Sequence, residues 1–585
     1  MTPSLFSFAT LDGFRGLHLF IAVLTFLWAM GYGLSAIRAR KAAFLLPALV
    51  TLIATLGIFL ADSLFTLFAC FEVMSMASYL LVIHPATPQA RKAGGVYLGV
   101  AVSGGLSMLM GLLLLYTSAG TLDFALLPQA VQAMNRGELW AAGLLLLVGF
   151  GAKAAMFPLH VWLPGSYTQA PFSGTMILSA ALSKAGTFGL LVLACTLFAG
   201  DGQWGLLLVL LGTATMVWGG LLAVASGNLK TTLAYSSMSQ IGFILVGVGM
   251  IGVLGEHNAI AVRGTLLHTL NHSLIKLVLF TVAGEIFRQY GTLELRRLRG
   301  AGRGRPMLNI AFLVGGAAIG GVPLLSGYVS KTLLHESIVE YIHLLPNGSA
   351  LWSSLEMLFL FSGGLTVAYI GKLYYTLFVQ KPQGQTAAAI GQRTPLWELL
   401  PLLLSLWLVA LGALPGMGMD RIADAAQLFL NSHLPAHAVE YFAWVNLKGA
   451  VISLTIGAVV FALCFLLLPR LLGGRTSTQD CGEENSTPSL LRHLYLPVLY
   501  YFIPLLMMVV ARGIDKLCAA PMRWLMNMPE KTEKVYPKLN FSFGNYTQES
   551  ASQGYFTKYL PASLRYSLLT FSIALLLGVA YLIFF

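Results

Sequence analysis

Uninterrupted apolar runs of about 20 residues recur along almost the whole chain, and they restrict the folds that it can adopt. A helix of that length crosses the hydrocarbon core of a bilayer. The runs are continuous and do not alternate over ten residues, which argues against a transmembrane barrel. Only 10% of the residues are charged, whereas soluble domains carry about a quarter. The sequence therefore predicts an all-α, polytopic membrane helix bundle.

About fifteen spans can be placed along the chain. They lie near residues 14–36, 42–61, 63–83, 94–118, 138–158, 172–198, 203–226, 231–254, 262–286, 306–345, 352–379, 395–415, 447–469, 493–511 and 564–585. Residues 416–445 are polar and predicted to be interfacial, and 472–490 and 512–562 are polar segments. No basic region precedes the first apolar run, so we expect no cleaved signal peptide.

Loop charges predict the orientation. With the N-terminus outside, the inner loops are basic, for example Arg38 to Lys41 and Arg288 to Arg305, and outer loops carry acids such as Asp62 and Asp201. The alternation holds only if residues 306–345 cross once, as a broken helix. The net charge of +12 is then explained by basic loops on one side, and no nucleic-acid partner is needed.

Two spans contain helix breakers beside a lysine. Lys153 precedes Pro158, and Lys331 follows Pro323 and Gly327. Broken helices at corresponding places in two halves indicate inverted repeats around a transport site. We therefore divide the chain into N-terminal helices (1–62), a first repeat (63–198), a second repeat (199–380) and C-terminal helices with a polar extension (381–585). Each repeat is predicted to form a proton half-channel.

Ionisable residues inside the spans are the candidate functional groups, because a charge at mid-bilayer costs roughly 2.5–3.5 kcal/mol on insertion scales. Glu72 lies in the middle of its span and is either a protonated structural group or the partner of a lysine. Lys153 is either a snorkelling lysine or a proton carrier at the break. Lys184 has about twelve apolar residues on either side, too far for snorkelling.

A second group lies in the later spans. His268, His272 and Lys276 are spaced i, i+4, i+8 and share one helix face, which is typical of a proton relay. Each histidine alone is equally well explained as a satisfied polar group between helices, and Lys331 as a helix-end cap. Lys230 is interpreted as a topological lysine at a loop edge. Lys372 lies near the end of its span, where it could snorkel, and is kept as a further candidate for the proton path.

Metal and redox chemistry have no visible ligands in the sequence. The five cysteines are scattered without CxxC spacing, so we expect no cofactor in this chain. Glu285 and the arginines from Arg288 to Arg305 are interpreted as a solvated loop that faces lipid headgroups or a partner.

Five ordered motifs resemble the antiporter-like membrane subunits of NADH:quinone oxidoreductase (complex I), multi-subunit cation/proton antiporters and group 4 hydrogenases such as formate hydrogenlyase. In chain order they are FEVMSMASYLL, KAAMFPLHVWLPGSYTQAPFSGTMILSAALSKAG, NLKTTLAYSSMSQIG, HTLNHSLIKLVLF and GVPLLSGYVSK. The long C-terminal addition is most similar to hydrogenase-4 and formate hydrogenlyase membrane subunits. Asp12-Gly13 resembles the start of the family's third helix, which implies that two N-terminal helices are absent.

The resemblance implies roles for individual residues. Glu72 and Lys153 would form an interacting acid–lysine pair, and Lys184 would be the central relay lysine. His268, His272 and Lys276 would form the relay of the second half, and Lys331 would be the terminal exchange residue. Gln240 stands where the family often has a histidine.

The resemblance also implies a setting. The chain would lie in the inner membrane of a bacterium or archaeon, beside membrane and peripheral partner subunits that hold iron–sulfur, nickel or flavin groups. It would move protons for a redox-driven respiratory or hydrogenase complex and perform no bond chemistry itself. A subunit of a Na⁺/H⁺ antiporter and a non-conducting anchor for a hydrogenase or dehydrogenase are the alternatives.

Overall fold

The computed structural model describes residues 8–467 apart from 10, 346–348, 383–390, 392 and 428–438. Residues 1–484 form one compact unit. Residues 468–585 lie outside the described residues, and with them the spans predicted near 493–511 and 564–585 and the polar segments 472–490 and 512–562.

The described part is helical, with only isolated β-bridges between loops. In chain order the helices are α1 (Gly13–Ala36), α2 (Lys41–Leu60), α3 (Leu64–Ile83), α4 (Pro88–Ala119), α5 (Leu127–Ala130), α6 (Arg136–Ala154), α7 (Leu163–Gln169), α8 (Phe172–Ile177), α9 (Ser183–Thr196), α10 (Gly202–Ala225), α11 (Leu229–Leu254), α12 (Ala259–Tyr290), α13 (Pro306–Gly320), α14 (Ser326–Leu344), α15 (Ala350–Tyr374), α16 (Pro395–Ala413), α17 (Met419–Gln427) and α18 (Trp444–Phe461).

Among the described residues, 12 helical segments are long and apolar enough to cross a membrane. Together with the broken pair α13–α14, they correspond to every span predicted up to residue 469. Many of the helices begin at a short polar side chain that accepts a hydrogen bond from the first turn, as helix starts require. These caps are Asp12, Ser63, Thr87, Asn135, Asp201 and Asn228. The chain is a multi-pass helical membrane protein.

Loops that the charge pattern places on one side of the membrane contact one another. Contacts on the acidic side join Phe124 with Asp62, Arg136 with Asp201, and Arg263 with Asp420. Contacts on the basic side join Leu229 with Leu293, Gly300 with Thr376, and Arg288 with Thr394. The grouping of loops agrees with the predicted topology.

Burial separates inner helices from outer ones. The most apolar windows of the α8–α9 segment and of α12 are completely buried inside the protein, whereas only 11% of the α18 window is buried. A helix that is buried all round can carry polar groups only where other protein groups satisfy them. The two fully buried segments contain Lys184 and the His268–Lys276 face, so the fold puts the predicted polar residues at its centre.

Candidate functional site

The first broken helix ends beside Lys153. α6 stops at Ala154 because Ala155 adopts a left-handed conformation with φ of 59°. The Met156 N–H returns to the carbonyl of Gly151 at 2.9 Å, and the indole N–H of Trp162 donates to the carbonyl of Ala152 at 2.8 Å. These bonds satisfy carbonyls that the helix end leaves free. The ammonium group of Lys153 is therefore not needed to cap these carbonyls and can bond to other groups.

Lys153 donates to two hydroxyl groups. Its Nζ lies 3.0 Å from Ser75 Oγ on α3 and 2.6 Å from Tyr97 OH on α4. A cavity of about 10 Å³ lies beside it, lined partly by Phe71 and Trp162. Lys153 is 4% exposed, so it is a buried lysine and does not snorkel.

Glu72 lies one turn before Ser75, and neither of its carboxylate oxygens has a hydrogen-bond partner among the described residues. Its carboxylate packs on Gly105 of α4, where an added Cβ atom would overlap Oε1. Lys153 is close enough to act on it electrostatically. Among the ion pairs of the described residues, however, none joins Glu72 to Lys153. The structure thus places the predicted pair in one region, with Ser75 contacting the lysine.

Lys184 contacts a histidine across the helix interface. A π-helical turn, Leu178–Leu182, joins α8 to α9 and leaves the Ser179 carbonyl available. Lys184 Nζ donates to this carbonyl at 2.7 Å. The same nitrogen lies 2.8 Å from Nδ1 of His272 on α12. The contact joins a residue of the predicted first repeat to one of the second.

Lys276 and His268 occupy the neighbouring turns of α12. Lys276 Nζ donates to the Leu233 carbonyl at 3.0 Å and to Ser236 Oγ at 2.9 Å, both on α11. His268 Nε2 lies 3.1 Å from Gln240 Oε1, also on α11, and its Nδ1 lies 3.0 Å from Ser330 Oγ on α14. All three predicted α12 residues are buried and directed at other helices.

The second broken helix positions Lys331. α13 ends at Gly320, and Gly321 takes the left-handed conformation (φ 82°) that glycine adopts without strain. The N–H groups of Gly321 and Val322 bond to two of the last carbonyls of α13. Lys331 Nζ donates to a third, that of Ile319, at 2.8 Å. The lysine therefore lies after its break, whereas Lys153 lies before its own.

The predicted residues form separate polar groups along the core. Lys184 and His272 form one group. A second group contains Lys276, which donates to Ser236, and Ser236 Oγ in turn donates to Tyr369 OH at 2.9 Å. His268 and Lys331 lie on either side of the α12–α14 interface. Within the described residues, no hydrogen bond joins the Lys153 group to the Lys184 group. A proton crossing that interval needs water or side-chain movement.

Two lysines differ from the sequence interpretation. Lys372 does not snorkel: it is buried and donates to the carbonyls of Ala223, Val224 and Ser226 at the end of α10. Lys230 lies in the first turn of α11, at the predicted loop edge, but is also buried and donates to the Ala170 carbonyl. Both compensate the negative end of a helix, where free carbonyls favour a cation.

The interpretation of Glu285 and Arg305 as parts of a solvated loop is wrong. Both are buried, and Arg305 donates to Glu398 on α16 at 2.7 Å and to Gln289 at 3.0 Å. Glu285 also lies 3.3 Å from Arg288. The sequence did not reveal this network, because Arg305 and Glu398 are far apart in the chain.

The uncharged partners were not found from the sequence. Hydroxyl and amide residues are ordinary in membrane helices, where they can also bond to their own backbone, so they carry no distinct signal. Ser75, Tyr97, Ser236, Ser330 and Tyr369 belong to this set. Gln240, noted as a departure from the family, fills the histidine's usual place and bonds to His268.

No group of three or more metal-binding side chains occurs within the part of the chain that the structure describes. The arrangement contains lysines, histidines, hydroxyls and carbonyls, which can hold and pass protons.

Comparison with known proteins identifies relatives from the sequence. The chain is 32% identical over 382 residues to hydrogenase-4 component B of Escherichia coli (strain K12), covering 63% of this chain and 56% of that protein. It is 30% identical over 379 residues to a Na(+)/H(+) antiporter subunit of Bacillus subtilis (strain 168), covering 63% and 47%. The chain thus spans about half the length of these curated relatives.

A solved structure shares the fold. A chain of the Mrp complex from Dietzia sp. superposes with a TM-score of 0.68 at 24% identity, covering 92% of this chain and 58% of that one. The family model described as "NADH:quinone oxidoreductase/Mrp antiporter, TM" matches residues 61–354, about half of the chain. This range contains every predicted site residue. The chain therefore belongs to the NADH:quinone oxidoreductase/Mrp antiporter transmembrane family.

Proposed function

We propose that this chain is a proton-translocating subunit of a redox-driven respiratory or hydrogenase complex. The observation that carries the proposal is the 2.8 Å contact between Lys184 and His272 in the fully buried centre of the bundle. Burying a lysine and a histidine side by side costs free energy that an apolar pair would not cost. Proton transfer gives a reason for that cost, because the two nitrogens can exchange one proton without either side chain moving far.

The proton path would use the buried residues in order from one half to the other. In the first half, residues 63–198, the Glu72–Lys153 pair responds to a change of charge on neighbouring groups. Lys184 passes its proton from Nζ to Nδ1 of His272, so that a neutral amine and an imidazolium result. Lys276, His268 and Lys331 continue the path in the second half, residues 199–380. The two halves are proposed to be inverted repeats, each with its broken helix.

The energy would come from partner subunits. Iron–sulfur, nickel or flavin groups on those partners would carry the electrons, and a change of charge or shape would reach this chain through the membrane. Support comes from the relative named hydrogenase-4 component B. The setting proposed is the cytoplasmic membrane of a bacterium or archaeon.

The test is Lys184→Ala in the complex purified through a tag on this chain, reconstituted in vesicles and driven by the donor that its copurified cofactors indicate. We expect redox activity and assembly to persist while proton pumping stops. Lys372→Met is the matched control, because Lys372 is also buried but caps the end of α10. We expect this control to lower stability and keep pumping per assembled complex. Normal pumping in Lys184→Ala would refute the proposal.

Membership of a Na⁺/H⁺ antiporter is the second candidate, favoured by the Bacillus subtilis relative whose name describes a Na(+)/H(+) antiporter. Vesicles would then show proton movement that depends on a sodium gradient and needs no electron donor. A non-conducting anchor, the third alternative, would lose assembly but not coupling when the buried lysines are neutralised. Measuring sodium dependence and assembly in the same preparations separates all three.

A further inference from the structure

A histidine between two carboxylates lies one turn beyond Lys331. His335 Nε2–H donates to Glu356 Oε1 on α15 at 3.0 Å, and His335 Nδ1 lies 3.7 Å from Glu336 Oε1. The bond to Glu356 fixes the proton on Nε2 and leaves Nδ1 as the basic nitrogen. An imidazolium formed there would be flanked by two carboxylates, which favour its positive charge. We name His335, Glu336 and Glu356 the acid–histidine cluster.

Lys331 and His335 line the same cavity. The spacing i, i+4 puts both side chains on one face of α14. The cavity measures about 30 Å³ and is also lined by Gly320 and Gly321 at the helix break. That volume holds at least one water molecule, and the lysine and histidine supply the polar partners that a buried water needs. The cavity thus offers a water-mediated connection from Lys331 to the acid–histidine cluster.

α18 lines this cavity on the side that faces away from the bundle core. Asn446, Gly449 and Ser453 of α18 line it, and Ser453 Oγ donates to the Leu360 carbonyl of α15 at 3.1 Å. A Cβ atom at Gly449 would lie 3.1 Å from both Nδ1 and Cε1 of His335. An alanine at this position would therefore require His335 or α18 to shift by a few tenths of an ångström. The rest of α18 is largely exposed, so the helix separates the cluster from the surroundings of the bundle.

Exposure increases from the lysine outward. Lys331 is 8% exposed, and the side chains of His335, Glu336 and Glu356 are 12%, 19% and 28% exposed. At 1.5 Å per residue, Lys331 lies roughly 20 Å and His335 roughly 14 Å from the end of α14. That end is on the side of the acidic loops. The cluster therefore lies between a buried lysine and the outer surface.

From this juxtaposition we infer that the acid–histidine cluster is the proton-release group on the outer side of the second half-channel, and that α18 covers it on the side away from the bundle core. The inference rests on the proposed function. A proton leaves Lys331 Nζ, crosses the cavity by way of water, and binds Nδ1 of His335. The imidazolium then releases it to the outer aqueous side. The charged and titratable groups that face the cluster are Tyr328, Lys331, Glu340 and His343 on α14, Glu336 and Glu356 within it, and Lys448 on α18.

The test compares variants of the whole complex in vesicles, with the initial rate of proton release measured against the pH of the outer side. His335→Gln keeps the approximate volume and a hydrogen bond but cannot titrate. We expect it to slow release roughly tenfold or more and to flatten the pH dependence, since positioned proton-transfer groups contribute on the order of a hundredfold or more. Glu356→Gln and Gly449→Ala should shift the pH profile, because each disturbs His335 without removing it. His257→Gln, an exposed histidine outside the cluster, should release protons like the wild type.

The outcomes separate the inference from the function on which it depends. If Lys331→Ala stops release while His335→Gln and Glu356→Gln keep the wild-type rate and pH profile, the cluster is not the release group and the proposed function still holds. If Lys184→Ala pumps normally, the proposed function itself fails. Should His335→Gln not assemble, Glu356→Gln and Gly449→Ala decide alone: unchanged pH profiles in both would overturn the inference, and shifted profiles would support it.

Discussion

Lys184 of α9 and His272 of α12 are in direct contact, with 2.8 Å between Nζ and Nδ1, and both side chains are buried. They are 88 residues apart in the chain. Their contact joins the two predicted halves of the protein at the buried centre of the bundle. The proposed transfer of a proton between the halves depends on this geometry.

His272→Gln tests the receiving side of that contact. Glutamine can accept a hydrogen bond from Lys184 but cannot hold a proton, so we expect assembly to persist and pumping to fall by roughly tenfold or more. His18→Gln is the matched control, because His18 is equally buried and packs among Phe14, Phe59 and Phe188. Proton pumping per assembled complex is the measurement. Equal pumping in the two variants would remove His272 from the path.

Gly105→Ala tests the position of the Glu72 carboxylate. The new Cβ atom would overlap Oε1, and the end of a flexible side chain can shift while the backbone stays in place. We expect normal assembly with slower pumping, since the carboxylate moves relative to Lys153. Gly99→Ala on the same helix is the control, because a Cβ atom there meets nothing within 4 Å. Indistinguishable pumping rates in the two variants would show that the placement of Glu72 does not matter.

Arg305→Met tests the buried ion network at the inner end of α12. Removing the arginine leaves Glu398 without its 2.7 Å partner, while Glu285 keeps only Arg288, and breaking a buried pair costs about 3–5 kcal/mol. We expect a lower unfolding temperature and less assembled complex, with pumping per assembled complex nearly unchanged. Arg303→Met, at an exposed arginine two residues earlier, should change stability little. A thermal unfolding curve of Arg305→Met that matches the wild type would contradict this expectation.

The sequence alone predicted the membrane class, the spans up to residue 469 and the broken segment at 306–345, because these features are local. Length and apolarity decide whether a helix crosses a bilayer, and a Pro/Gly cluster marks a break wherever the chain folds around it. The buried lysines and histidines were also readable, since a charge in an apolar span is conspicuous and expensive.

The tertiary structure decided which groups meet. Lys153 bonds to Ser75 and Tyr97 instead of forming an ion pair with Glu72, Lys372 caps α10, and Arg305 is buried against Glu398. Each of these contacts joins residues far apart in the chain, and hydroxyls and backbone carbonyls have no signature that marks them as partners. The apolar spans mark many of the charged residues that are buried in this protein, but only the packing of helices against one another determines what neutralises them.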